Sequence, residues 1–219
     1  MSAVLDDVDE AQGISFNIEA ALGPDARLDD LKWRLDHLYW IVDKDAKAVP
    51  FVMNEQQRDF IDNLWYRNLI LKARQLGFST LMQVLELDQA LFNSDFNCVV
   101  IADTLANAGK LFKKVEFAYD HLPDLLQMMF PIIKKNQGSE ITFGHEDADG
   151  KLHPSTITVT VSSRGGTVQL LHVSELGKIA LKFPQRAEEI KTGAFESVPQ
   201  DGCIVVESTA EGAFGLFYE

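Results

Sequence analysis

Four short apolar runs constrain this chain more than any other feature: "NLILKA", "NCVVIAD", "TVQLLHVSE" and "GCIVVEST". Near-continuous hydrophobicity over so few residues is the pattern of a strand buried on both faces. Between the runs lie segments of helical period. In "STLMQVLELDQALFN" the residues Leu81, Val84, Leu85, Leu87 and Leu91 recur at helical spacing, and "TLANAGKLFKKVEFAYDHL" and "QRAEEIKTGAF" are also helix-forming. Strands alternating with helices predict an α/β fold whose mostly parallel sheet is covered on both faces. "SEITFG" and "STITVTVSS" alternate like half-buried strands, with the turn-rich "DADGKLHP" between them.

Upstream, Leu28, Leu31, Leu35 and Leu38 in "LDDLKWRLDHLYWIVD" predict one amphipathic helix. A second helix is predicted from about Asn54, with Asn54 as its N-cap. Residues up to about Asn17 show no such period and are expected to be flexible. The chain of 219 residues suffices for one substantial α/β domain. Residues 1–49 read as an acidic helical segment and 50–219 as the main domain.

Chemistry concentrates where the apolar runs end. "LILKARQLGFST" approaches the phosphate-loop pattern G-x-x-x-x-G-K-[ST]. Gly77 fits the second glycine and Ser79 the hydroxyl, but Phe78 stands at the lysine position and Lys72 at the first glycine. Backbone N–H groups around a glycine turn at a helix start cradle anions, and Ser79 could place its hydroxyl on Mg²⁺. Lys72 or Arg74, both long, could fold back to neutralise phosphate. An ordinary strand-turn-helix with solvated charges would carry the same pattern.

"LLHVSE" ends a buried strand in Glu175, the place of a carboxylate that aligns and deprotonates an attacking water. Ser174 holds the position usually taken by Asp; it can accept a hydrogen bond from magnesium-bound water but adds no charge. "VVESTAEG" ends in Ser208 and Thr209, placed to sense a γ-phosphate or simply to turn the chain. In "SSRGGT" Arg164 precedes two glycines and could act as an arginine finger or be a solvated loop residue. In "VPFVMNEQQRDF", Phe51 could stack on an adenine and Gln57 or Gln56 read its edge; exposed helix glutamines look the same.

The formal net charge is −13, which argues against a module that coats nucleic acid, though not against a motor touching DNA through one small patch. Much of the acid precedes Pro50. No apolar run approaches the roughly 18–20 residues of a membrane span, and the acidic "MSAVLDDVDE" has no apolar core of a signal peptide. Cys98 and Cys203 lie in apolar runs and read as reduced core residues.

Taken in order, the segments resemble the ATPase domain of the large terminase subunit of tailed bacteriophages, the motor that packages DNA. "PFVMNEQQ" resembles its adenine motif, "KARQLGFST" a deviant Walker A, "VVIADTLANAGKLF" the strand and helix that follow, "SRGGTVQLLHVSE" its arginine loop and Walker B, and "VESTAEG" its coupling motif. The likeness spans roughly Pro50 to the last residue. It implies a P-loop NTPase fold of the ASCE, RecA-like kind, with ATP and Mg²⁺ as cofactors. By the lambda-like pattern Lys72 takes the lysine's role, Arg74 shares the phosphate contact, and Gln75, Gly77, Ser79 and Thr80 complete the nucleotide loop with Phe51 and Gln57. Glu175 matches the catalytic carboxylate and Arg164 the trans-acting arginine. Ser79 and Ser174 would serve magnesium, Ser174 through water, and Ser208 and Thr209 would couple hydrolysis to motion.

The implied partners are double-stranded DNA, a portal protein and a small terminase subunit, in a homo-oligomeric ring in the host cytoplasm, with no membrane. A complete large terminase also carries a ribonuclease-H-like nuclease. The chain reads as an N-terminal portion of a longer protein, or as a truncated prophage product, without it, so no nuclease activity is expected. Two other classes fit parts of the pattern: a helicase-like translocase, though no DEAD-type sequence is present, and a nucleotide-binding module without turnover.

Overall fold

The computed structural model describes residues 18–163, 165–212 and 215–218. The flexibility expected up to Asn17, and the role expected of Arg164, lie outside the described residues. One seven-stranded sheet organises the chain. Its strands are β3 (Arg67–Leu71), β4 (Asn97–Ile101), β5 (Ile132–Asn136), β6 (Glu140–Phe143), β7 (Ser155–Thr160), β8 (Leu170–Ser174) and β9 (Cys203–Ser208), in the order β3-β9-β8-β4-β7-β6-β5. The first five in that order are parallel; β6 and β5 add antiparallel at one edge.

The apolar runs segregate by alternation. Cys98 and Val100 of β4, with Val205 of β9, face one core; Val99 and Ile101, with Ile204 and Val206, face a second. The first core packs under α2 (Leu31–His37), α4 (Phe78–Phe92) and α5 (Leu105–Asp120). The second packs under α7 (Leu176–Lys182), α8 (Pro184–Glu189) and the π turn Ile190–Ala194 that continues it. Helices α1 (Ile18–Leu22), α3 (Glu55–Asp62) and α6 (Asp124–Met129) complete the set. Cys98 and Cys203 are free thiols, the first buried and the second half-buried.

The long N-terminal helix expected from Leu28 to Asp43 is shorter. Asp30 caps α2 by accepting from the N–H groups of Lys32 and Trp33, and the helix ends at His37. The β-prone Trp40–Val42 (β1) then pairs antiparallel with Ala48–Pro50 (β2). Asp43 closes that hairpin by accepting from the N–H groups of Asp45 and Lys47. Asn54 does cap α3, in a reciprocal capping box with Gln57.

α4 is buried nearly all round, which fits a helix with little polar face. Two of its buried residues, Glu86 and Asp88, are charged and paired. Arg34 grips Asp88 through two bonds, Nε to Oδ2 and Nη2 to Oδ1, both 2.8 Å, and Tyr39 Oη donates to Asp88 Oδ2 at 2.9 Å. The core is therefore continuous across Pro50. Two residues earlier, Glu86 Oε1 lies 2.9 Å from Nδ1 of His172 on β8, whose Nε2 lies 3.4 Å from Glu207 Oε1 on β9. All three are fully buried. Burial alone would lower the imidazole's pKa, but the charge of Glu86 and hydrogen bonding to Glu207 carry His172 up to about 9. Burial opposes ionisation of Glu207 too, yet His172, then Lys72 and Ser79, hold its carboxyl well below the usual range. Burial pushes Glu86 up.

Two outcomes follow for stability. Arg34→Ala strands the Asp88 carboxylate in the core and should cost about 3–5 kcal/mol in urea unfolding. For His172, the folded value of about 9 exceeds the unfolded 6.5. Its contribution is present in full below pH 6.5 and lost as pH rises to about 9. The stability gap between wild type and His172→Gln should therefore narrow over that window when urea midpoints are compared.

Candidate functional site

The C-terminal ends of β3, β9 and β8 converge, the end of a parallel sheet at which α/β proteins bind ligands. β3 runs one bond past its last residue, Lys72 N–H donating to Ser208 O at 3.0 Å. The loop then turns through Gln75 at φ 67° and Gly77 at φ 74° into α4. Gly77 is required for its backbone and for its size, because a Cβ there would lie 2.9 Å from Gln57 Nε2. No side chain caps α4, so its first N–H groups face the convergence point as an anion cradle.

Lys72 bends back over that helix start. Its Nζ lies 3.2 Å from Ser79 Oγ, 3.0 Å from Glu207 Oε2 and 3.5 Å from Glu175 Oε1. Thus the cation missing at Phe78 is present, and Phe78 itself is buried in the core against Phe60. Ser79 Oγ donates to Glu207 Oε1 at 2.7 Å, and Ser174 Oγ donates to the same oxygen at 3.0 Å. Thr80 Oγ1 accepts from Lys114 Nζ on α5 at 2.9 Å. Arg74 and Gln75 lie exposed on the loop.

Glu175 occupies a left-handed conformation, φ 62° and ψ 44°, at the cap of α7. Such a backbone costs a non-glycine residue of order 1–3 kcal/mol and persists only when its surroundings enforce it. Here they do. Glu175 N–H donates to Glu207 O at 2.7 Å, Thr209 Oγ1 donates to Oε2 at 3.2 Å, and Lys178 Nζ lies 2.9 Å from Oε2. Ser208 Oγ accepts from Gly177 N–H at 3.0 Å and donates to Thr209 O. Ser208 and Thr209 are thus joined directly to the turn that carries Glu175.

The expected adenine contacts fare differently. Phe51 is 2 % exposed and belongs to the main core, so its ring offers no face for stacking. Gln57 is also buried, its Oε1 accepting from Asn54 N–H and its Nε2 donating to Gly77 O at 3.0 Å. It braces the loop and has no free edge. The exposed neighbour Gln56, with Phe60, Leu71, Lys72 and Leu76, lines an open groove of about 1020 Å³ between α3 and β3. That groove reaches Lys72 but not Ser79, Glu175 or Glu207.

Sequence reasoning missed Glu207, His172, Glu86 and Lys114. A glutamate or histidine inside an otherwise apolar strand was the available signal for the first two, since such side chains are seldom buried without partners. Among the described residues no group of three or more His, Cys, Asp or Glu could by itself hold a metal ion. Magnesium on a nucleotide needs no such cage: one or two protein oxygens suffice, with phosphates and waters supplying the rest. Ser79 and the neighbouring carboxylates fit that requirement.

No protein-family model matches the chain, and no curated protein matches it in sequence. Solved structures do. The large terminase ATPase domain of Thermus phage P74-26 aligns with a TM-score of 0.60 at 16% identity, covering 77% of this chain and 68% of that one. An arginine-to-alanine variant of the same domain aligns with a TM-score of 0.56 at 16% identity, over 77% and 69%. The chain therefore has the α/β fold of a P-loop ATPase domain, in the form seen in a phage large terminase.

Proposed function

We propose that this chain binds ATP with magnesium and hydrolyses it as the motor domain of a viral DNA-packaging machine. The observation that supports this most directly is Lys72. It comes from the wrong end of the motif yet sits 3.2 Å from Ser79 Oγ above an uncapped helix start. In this reading the α4 N–H groups and Lys72 receive the β- and γ-phosphates, and exposed Arg74 closes on them from the loop. Ser79 supplies a hydroxyl ligand to magnesium. When bound, the ion neutralises charge developing on the phosphate oxygens. Glu175 orients the attacking water and accepts its proton; Thr209 and Lys178 fix its carboxylate in place.

The same contacts suggest how hydrolysis is transmitted. Thr209 touches Glu175 while Ser208 holds the first turn of α7, so a change at the carboxylate shifts the end of β9 and α7 together. Coupling to double-stranded DNA, a ring of subunits, a portal and a small subunit rest on the resemblance of the sequence segments and on the shared fold. No described helix is long and apolar enough to cross a membrane. Ser174, in place of an acidic residue, favours the second reading, a nucleotide-binding module without turnover.

Steady-state ATPase assays and nucleotide titrations separate these. Lys72→Ala should weaken nucleotide binding by about 1.5–3 kcal/mol, the worth of a charge-assisted contact, and abolish turnover. Glu175→Gln should bind near normally and not turn over; equal loss of both would indicate a structural role. A wild-type protein that binds ATP but does not hydrolyse it, even with DNA, would favour the module. For Arg164 the proposal is action on a neighbour's ATP. Mixing Arg164→Ala with Glu175→Gln subunits should restore part of the activity, because a finger contributes on the order of 10³–10⁵ in rate. Mixtures no more active than either variant alone would rule that out.

A further inference from the structure

Ser174 leaves the site one negative charge short, at the position from which a carboxylate would order the magnesium shell. The replacement is next door. In the parallel pairing of β8 with β9, Ser174 lies opposite Glu207. We propose that Glu207 is the positioning carboxylate of the magnesium shell, supplied from β9 in place of the missing acid on β8. The proposal rests on reading the site as one for a magnesium nucleotide.

Three features carry it. First, Glu207 Oε1 gathers two hydroxyls of the site, Ser79 at 2.7 Å and Ser174 at 3.0 Å. An alcohol oxygen turns its lone pairs to a cation when its O–H is directed elsewhere, and Glu207 accepts the Ser79 hydrogen bond. Second, the carboxylate lies between the strand that carries the phosphate loop and the strand that carries Glu175, pairing with Ile70 on one side and Ser174 on the other. Third, it is fully buried and is reached by two basic groups, Lys72 at 3.0 Å and His172 at 3.4 Å.

The test is the dependence of nucleotide affinity on the metal. A fluorescent ADP analogue is titrated in excess Mg²⁺ and in EDTA, and bound Mn²⁺ is followed by EPR with ADP present. Glu207→Gln should reduce the Mg²⁺ enhancement, the ratio of affinity in Mg²⁺ to affinity in EDTA, and the Mn²⁺ affinity by about tenfold or more, the usual effect of losing such a partner. Glu207→Asp keeps a charge for Lys72 and His172 while withdrawing the oxygen from the hydroxyls. It should show the same loss, and it serves if the glutamine variant does not fold. Ser174→Asp combined with Glu207→Gln returns the carboxylate to β8 and should recover the enhancement.

An undiminished Mg²⁺ enhancement in both Glu207 variants would overturn the proposal, as would a double variant that folds and recovers nothing. Failure of the wild type to bind the nucleotide under either condition would instead remove the nucleotide reading itself, and this proposal with it.

Discussion

A carboxylate taken fully out of water loses hydration worth several kcal/mol, and the protein must replace it with donors and opposite charge. Glu207 is in that position, and the polar groups around it are the replacement. Lys72 reaches it from the end of β3, Ser79 from the first turn of α4, Ser174 and His172 from β8. Each partner is held there by its own element, so the arrangement of β3, β9, β8 and α4 and the electrostatics of the site are one constraint. The loop need not contain the usual lysine, because the buried charge of Glu207 requires a cation and Lys72 supplies it from the opposite end of the loop.

The parts of the fold that reduce to burial on two faces were legible in the sequence. β3, β4, β8 and β9 were marked by apolar runs, and α4 and α5 by helical spacing. What escaped were elements whose pattern is weak or shared. β5, "IIKKN", has only Ile132 partly buried, so nothing in its composition separates it from a loop. The segment from Leu28 to Asp43 carries helical spacing throughout. Its last residues are also good strand formers, and pairing across the Asp43 turn decides in favour of the hairpin.

At the site, glycine and hydroxyl positions were readable because backbone geometry demands particular residues there. Lys72, Ser79 and Glu175, each read from the end of a strand or the start of a helix, lie together. Phe51 and Gln57 do not behave as an exposed base pocket, because an aromatic ring and a capping amide are equally useful to a core and a helix start, and in this chain those uses prevail. Glu207 was hidden for the opposite reason. It stands within the quoted "VVESTAEG", but its importance comes from neighbours on β3, α4 and β8 that no linear spacing reveals.

The left-handed backbone at Glu175 has an evolutionary consequence. A glycine would occupy φ 62° without the strain that glutamate bears there. At this one position the substitution that relaxes the chain also erases the carboxylate. Relief of backbone strain and retention of the carboxylate therefore pull in opposite directions on a single codon. The contacts from Thr209, Lys178 and Glu207 are what allow the strained residue to be kept. Drift in Thr209 or Lys178, whose side chains hold the carboxylate, would be felt first as loss of the Glu175 geometry.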